Sequence, residues 1–469
     1  MSIFDKIKPY LRKRFARRFR NHLNSISPSF CLAKWKQVTI HLATGYTHSC
    51  HHPAPHRIPP EEIVVDVSAL HNTKFKKEQR KLMLEGKRPK ECGYCWNVED
   101  SDSSGEVFSD RIVKSLSPWA KPYMKEVANS NFSDNAVPSY MEVSFSNACN
   151  FKCSYCSPEV SSQWMDEIKK YGPYPTTTKF NNLEWLKDQN KMPILEREYN
   201  PYVEAFWKWW PEIYPKLEVL RITGGEPLLT KNTFKVLEYV LENPRPELEL
   251  NINSNLCVPD KIFDSFIAKI KQIQLTGSVK SFKLYTSCES IGARAEYIRY
   301  GLDYHQWLTN CRRILEEIPT AKLTIMSTYN ALSVTSYKDF LKDVLNLRKQ
   351  YANGNYQHPM SIDMPYLRWP SHQSVNILTK DYLHFIEEQI DFMKENLQTT
   401  NNAGFHDYEI NSLNKVYSIF LNSLKVDNNV IDRRDFVLFI DNHDHRRNTN
   451  FLETFPEMSE FYNYCKTSC

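Results

Sequence analysis

The sequence predicts an α/β fold: a partial (β/α)6 TIM-type barrel, with a small cysteine-rich domain ahead of it. Three observations predict this. Strand-type and helix-type segments alternate from Tyr140 to Glu395, polar clusters recur where the strands end, and seven of the twelve cysteines form two metal-ligand patterns. Four regions follow. Residues 1–30 form a basic amphipathic segment, 31–115 the cysteine-rich domain, 135–370 the barrel with an insertion at 171–201, and 371–469 a helical extension.

In the first region Ile3, Phe4, Ile7, Leu11, Phe15 and Phe19 recur at helical spacing among Lys6, Lys8, Arg12, Lys13, Arg14, Arg17, Arg18 and Arg20. Such a helix docks on the protein's own core by its apolar stripe, or lies on RNA or a membrane surface. The net charge of +5 is too mild to demand a polyanionic partner. No apolar run approaches the roughly eighteen residues that span a bilayer. The charged start does not read as a secretory signal, and a thiolate-rich chain needs a reducing compartment, so a cytoplasmic location is expected.

In the second region Cys31 is followed after thirteen intervening residues by Gly45, after four more by Cys50, and then by Cys92-Gly93-Tyr94-Cys95-Trp96. Four thiolates make a closed donor set, suited to an iron-sulfur cluster or to structural zinc. His51, His52 and His56 crowd Cys50 and are read as loop residues rather than ligands.

The barrel opens with the alternating strand Tyr140 to Ser146, followed by the loop Cys149-Asn150-Phe151-Lys152-Cys153-Ser154-Tyr155-Cys156 and a helix near Ser161 to Lys170. Three thiolates do not close a site. Structural zinc takes four ligands, whereas a [4Fe-4S] cluster on three cysteines keeps one iron open to a ligand. The insertion, rich in Pro, Thr, Asn and Lys, reads as a substrate lid or an irregular surface loop. Trp207, Trp209 and Trp210 then sit on a helix as packing residues.

The second strand, Leu217 to Thr223, ends in Gly224-Gly225-Glu226-Pro227, where two glycines let backbone approach a ligand closely. Strands Glu247 to Ser254, Lys280 to Ser287, Lys322 to Tyr329 and Met360 to Met364 complete the six. They alternate with helices near Lys231 to Leu241, Asp260 to Gln272, Tyr304 to Glu317, Ser336 to Lys349 and Lys380 to Glu395.

The three-cysteine spacing, with Tyr155 before its last cysteine and Gly-Gly-Glu-Pro one strand-helix unit later, resembles the signature of the radical S-adenosylmethionine (radical SAM) enzymes. The resemblance implies that Cys149, Cys153 and Cys156 hold a [4Fe-4S] cluster that binds SAM. It further implies reductive cleavage of SAM to a 5′-deoxyadenosyl radical that abstracts hydrogen from a substrate. Gly224, Gly225, Glu226 and Pro227 would then hold the methionyl amino group. Asn253, Asn255, Ser287, Glu289 and Asn330 would meet the ribose hydroxyls and the methionine carboxylate. The third-strand motif departs from the family's Asn-Thr-Asn-Gly in having Ser254 and Asn255 at its end, which leaves each partner's identity open. Arg294 and Arg299 are candidate carboxylate clamps, with a solvated helix face as the alternative. Tyr155 packs on adenine or is a core tyrosine.

The upstream set, Cys31, Cys50, Cys92 and Cys95, resembles the twitch module, the short form of the SPASM extension, although it precedes the barrel. That resemblance implies an auxiliary [4Fe-4S] cluster that accepts the electron left after hydrogen abstraction. It suggests a peptide or protein side chain, or a small molecule to be oxidised, as substrate, and a flavodoxin or ferredoxin as electron donor. An RNA substrate is the alternative within catalysis. A non-catalytic iron-sulfur or zinc-binding interaction protein is the alternative outside it. Near the C-terminus, Asp441 to Arg447 reads as a surface loop or as a source of an acid-base group or anion clamp. Cys257, Cys288 and Cys311 form no closed set, and Cys465 with Cys469 is a candidate late ligand or thiol pair.

Overall fold

The computed structural model describes residues 3–102, 107–426 and 428–468. The protein is α/β with a large, mostly parallel sheet. The strands are β1 Gln37–His41, β2 Tyr46–His48, β3 His56–Arg57, β4 Tyr140–Ser144, β5 Lys152–Cys153, β6 Val219–Thr223, β7 Arg245–Asn253, β8 Val279–Ser287, β9 Arg299–Tyr300, β10 Lys322–Met326 and β11 Met360–Asp363. The chain divides into two compact units, with β7 contributing residues to both.

The first unit comprises Met1–Ser146, Ile194–Thr223 and Glu247–Leu250. Its strands run in the order β3-β2-β1-β4-β6. β1 and β2 form an antiparallel hairpin, while β1 pairs in parallel with β4, from Gln37 opposite Tyr140 to His41 opposite Ser144. β4 is likewise parallel to β6. The hairpin depends on Gly45, whose φ is +70° and where an added Cβ would fall 2.2 Å from the Tyr202 ring. β1 was not anticipated, because its five residues sit inside the cysteine-rich domain, for which no strand was assigned; the first four are buried. The helix Ile3–Ile26 is present, and Phe19 and Leu23 on it pack with Phe30, Trp35 and Trp96. The side chains of the basic residues Lys6, Lys8, Arg12 and Lys13 lie outside the described residues. In the helix Pro201–Ile213, begun by the Asn200 side-chain cap, Trp209 and Trp210 are buried.

The second unit comprises Asn147–Pro193, Gly224–Pro246 and Asn251–Cys469. β8, β10 and β11 are parallel neighbours. The expected helices appear as Ser162–Tyr171, Lys231–Glu242, Asp260–Leu275, Tyr304–Glu317, Tyr337–Gln350 and Leu383–Glu395. Ser161, Thr230 and Asp303 cap the first, second and fourth of these, each side chain accepting a backbone N–H of the first turn. A buried Arg348–Glu409 pair, with bonds of 2.6 and 2.9 Å, joins Tyr337–Gln350 to the helix Asp407–Ser423. The surface loop expected at Asp441 to Arg447 is instead the last part of a helix, Val430–Arg447, with His443 and Arg447 buried. Its apolar residues Phe436 to Ile440 run consecutively instead of recurring at helical spacing, so no stripe marks the helix in the sequence. Among the described residues no helix is long and apolar enough to cross a membrane.

Candidate active site

The three-cysteine loop belongs to the second unit and is fastened at almost every residue. Cys149 N–H donates to Ser162 Oγ at 3.2 Å, Trp164 Nε1 donates to Cys153 O at 2.8 Å, and Cys156 N–H donates to Cys153 O at 2.9 Å. β5, within the loop, pairs antiparallel with β9, setting Cys153 opposite Arg299. Register alone therefore brings a guanidinium to a cysteine. Arg299 Nη1 lies 3.7 Å from Cys153 Sγ, while Nε and Nη2 donate to Glu289 Oε2 at 3.0 and 2.7 Å. Tyr155 O–H donates to Glu289 Oε1 at 3.1 Å, and Arg299 sits over the Tyr155 ring.

Cys149, Cys153 and Cys156 line one cavity of about 840 Å³, shared with Gly224, Gly225, Asn253, Asn255, Ser287 and Arg299. Burial pushes all three thiols above their ordinary pKa, Cys156 to about 12; Cys153 raises both Cys149 and Cys156 further, while Arg299 opposes the rise at Cys153. Buried thiols so close together keep their protons unless a cation takes the thiolate form. Opposite them the backbone comes unusually near: a Cβ on Gly225 would meet Ala148 O at 2.4 Å, and Glu226 N–H donates to the same carbonyl at 2.7 Å. These residues fit a three-thiolate cluster beside a glycine-lined ligand cradle.

Residues 143–341 match the Radical SAM superfamily. Over 118 residues the chain is also 24% identical to a protein named GTP 3′,8-cyclase from Syntrophomonas wolfei subsp. wolfei (strain DSM 2245B / Goettingen). That alignment takes in 25% of this chain and 27% of the relative, so the chain spans about a quarter of the relative's length.

Within the radical SAM region the expected site residues separate into two groups. Tyr155, Gly224, Gly225, Pro227, Asn253, Ser287 and Arg299 line the cavity with the cysteines. Glu226, Glu289, Asn330 and Arg294 do not. Glu226 is 2% exposed, and its carboxylate accepts Asn255 N–H at 2.6 Å and Leu228 N–H at 3.0 Å, fastening the Gly-Gly turn to the loop after β7. Glu289 is engaged by Arg299 and Tyr155. Asn330 closes its own turn, accepting Leu332 N–H at 2.9 Å. The clamp expected at Arg294 is committed elsewhere, donating to Thr454 O at 3.1 Å and Glu457 Oε2 at 2.8 Å.

Sequence reasoning missed the contribution of the C-terminal extension. Arg447 donates to Lys152 O at 2.7 Å and to Glu167 Oε2 at 3.0 Å, and Lys152 Nζ completes the group 2.6 Å from Glu167. Asp435 accepts Thr177 and Thr178 N–H at 2.6 and 2.8 Å, tethering the insertion, whose Asn181 donates to Cys156 O at 2.9 Å. Arg447 lies in the charged stretch noted in the sequence, but the partners of both residues could not be read there, since each acts across more than 250 positions of sequence.

The upstream cysteines form a separate group in the first unit. Cys31, Cys50, Cys92 and Cys95 line one small cavity with Lys34, His52, Arg111 and Lys114. Burial pushes Cys92 and Cys95 up to about 12 and raises Cys50 as well. Burial would lower Lys34, but Cys92 and its ion-pair partner Glu91 raise it instead. His52 is drawn off to Asp110, 2.7 Å away, and stacks on Tyr94; His56 bonds Thr73 Oγ1 at 3.0 Å. Among the described residues no three or more His, Cys, Asp or Glu side chains meet at a point that one metal ion would occupy. Cys257, Cys288, Cys311 and Cys465 are buried and unbridged, and Cys469 lies outside the described residues.

Proposed function

We propose that this protein uses a [4Fe-4S] cluster on Cys149, Cys153 and Cys156, with SAM beside it, to abstract hydrogen from a peptide or protein side chain or a small molecule. The observation that carries this reading is the shared cavity of about 840 Å³, which joins three cysteine thiols, Cys153 buried and Cys149 and Cys156 half-buried, to the Gly224-Gly225 turn. Cluster and SAM, when bound, supply one-electron cleavage of a carbon-sulfur bond and a radical able to remove hydrogen. The chain supplies the remainder. Three thiolates leave one coordination position for a ligand, and the backbone around Gly225 offers carbonyls to an ammonium. Asn253 and Ser287 present polar groups to a ribose or carboxylate. Arg299, fixed by Glu289, places positive charge against Cys153 sulfur, which raises the potential of whatever that sulfur ligates.

The four upstream cysteines are proposed to hold an auxiliary iron-sulfur cluster of twitch type, in a protein reduced by a flavodoxin or ferredoxin in the cytoplasm. Zinc is the competing occupant, since four sulfur donors satisfy it equally. A second reading of the substrate, a nucleotide, is favoured by the name of the Syntrophomonas relative. Anaerobically reconstituted, reduced protein is expected to form 5′-deoxyadenosine from SAM, with Cys153→Ala abolishing it. Formation unchanged by that substitution would defeat the reading.

A further inference from the structure

The cavity has a wall that the cofactors leave unassigned. At about 840 Å³ it lies near the top of the range of about 300–1,000 Å³ for ligand pockets, room for a second molecule. Glu159, Lys179, Trp185 and Trp369 line it along with the cysteines. Trp185 is 44% and Trp369 54% exposed, so neither ring is committed to the core. Glu159 is half-buried, accepts no hydrogen bond from the described residues, and has Lys191 as its charged neighbour. A half-buried carboxylate facing a cavity has acceptor positions open to a donor that a ligand brings there.

Both tryptophans are carried on segments fastened to the cysteine loop. The insertion bearing Trp185 is held by Asn181 on Cys156 O. Beyond Trp369, Gln373 Oε1 accepts Ser154 Oγ–H at 2.6 Å and its Nε2 donates to Ser154 O at 3.1 Å. The wall is thus built onto the loop where chemistry would occur.

We infer that Glu159, Trp185 and Trp369 form a substrate subsite for a flat group with two adjacent N–H donors, a guanidine unit, whose anionic end meets Lys179. A carboxylate has only acceptors and pairs bidentately with such an edge, while indole faces bind flat or cationic groups. An arginine side chain and the guanine ring of a nucleotide both contain this unit. The inference rests on the radical SAM reading for what happens to the bound group, not for the binding itself.

The test is calorimetric titration of reconstituted full-length protein with Nα-acetylarginine and with guanosine monophosphate, against Nα-acetylnorleucine and adenosine monophosphate. One guanidine-bearing ligand should bind at least about tenfold more tightly than its control, and which one it is identifies the source. Glu159→Gln should remove about that factor, and Trp185→Ala or Trp369→Ala about fivefold. Cluster absorbance checks that each variant is loaded. Equal affinity for ligand and control in both pairs, or unchanged affinity in Glu159→Gln and both tryptophan variants, overturns the inference. Parallel 5′-deoxyadenosine measurements keep the two readings apart: formation without guanidine binding sinks the subsite alone, and binding without formation sinks the radical reading alone.

Discussion

Glu226 shows how a residue can be legible by type while its contacts are not. Its motif was plain, and the expectation was a turn that holds a ligand ammonium with Glu226 adding negative charge nearby. In the structure its carboxylate accepts two backbone N–H groups. Burial outweighs those bonds and lifts its pKa from 4.5 to about 7. Because the folded state holds the proton more tightly than the unfolded chain, the contribution to stability is full below about pH 4.5 and is lost as pH rises through 7. The difference amounts to about 3 kcal/mol. Urea midpoints at pH 5 and pH 8 should therefore differ by more in the wild type than in Glu226→Gln, whatever the variant's absolute stability. An equal pH dependence in the two proteins would refute a titrating Glu226.

At the scale of elements, the strands and helices between Tyr140 and Glu395 could be read because each repeats its own period. The helix Tyr304–Glu317 coincides with its expected span, and β11 falls one residue short of its own. What could not be read was pairing between distant segments. β1 joins β4 through backbone bonds that any sequence could make, and Val430–Arg447 shows no apolar stripe because Phe436 to Ile440 run consecutively between charged ends. That helix nevertheless braces the cysteine loop. Its Arg447 forms a buried pair with Glu167, whose pKa falls to about 2 because Arg447 and Lys152 overcome the opposing effect of burial. This carboxylate stabilises the fold above its unfolded value of 4.5, and the contribution disappears as pH falls towards 2. Arg447→Met leaves Glu167 with Lys152 and the Tyr174 hydroxyl. A loss near the lower end of about 3–5 kcal/mol is expected, seen as a lower urea midpoint together with weaker cluster retention at neutral pH. A variant as stable as wild type with full iron would show that the bracing is dispensable.

For the whole molecule, the two cysteine sets belong to different compact units, each with its own buried thiols and neighbouring cations. Metal binding at either set is therefore expected to be separable from the other. Reconstituted wild-type protein should hold about eight irons if both sets carry [4Fe-4S] clusters, and about four irons with one zinc if the upstream set is structural. Cys153→Ala should lose about four irons and all 5′-deoxyadenosine formation. Cys95→Ala should lose the upstream metal, retain about four irons and still cleave SAM, but fail to complete turnover if that site receives the substrate's electron. The same variant turning over normally with about four irons and no zinc would reduce the upstream site to a dispensable clasp. Loss of all iron from Cys95→Ala would instead refute separable binding, showing that the second unit's cluster depends on the fold that the upstream metal's binding free energy supports.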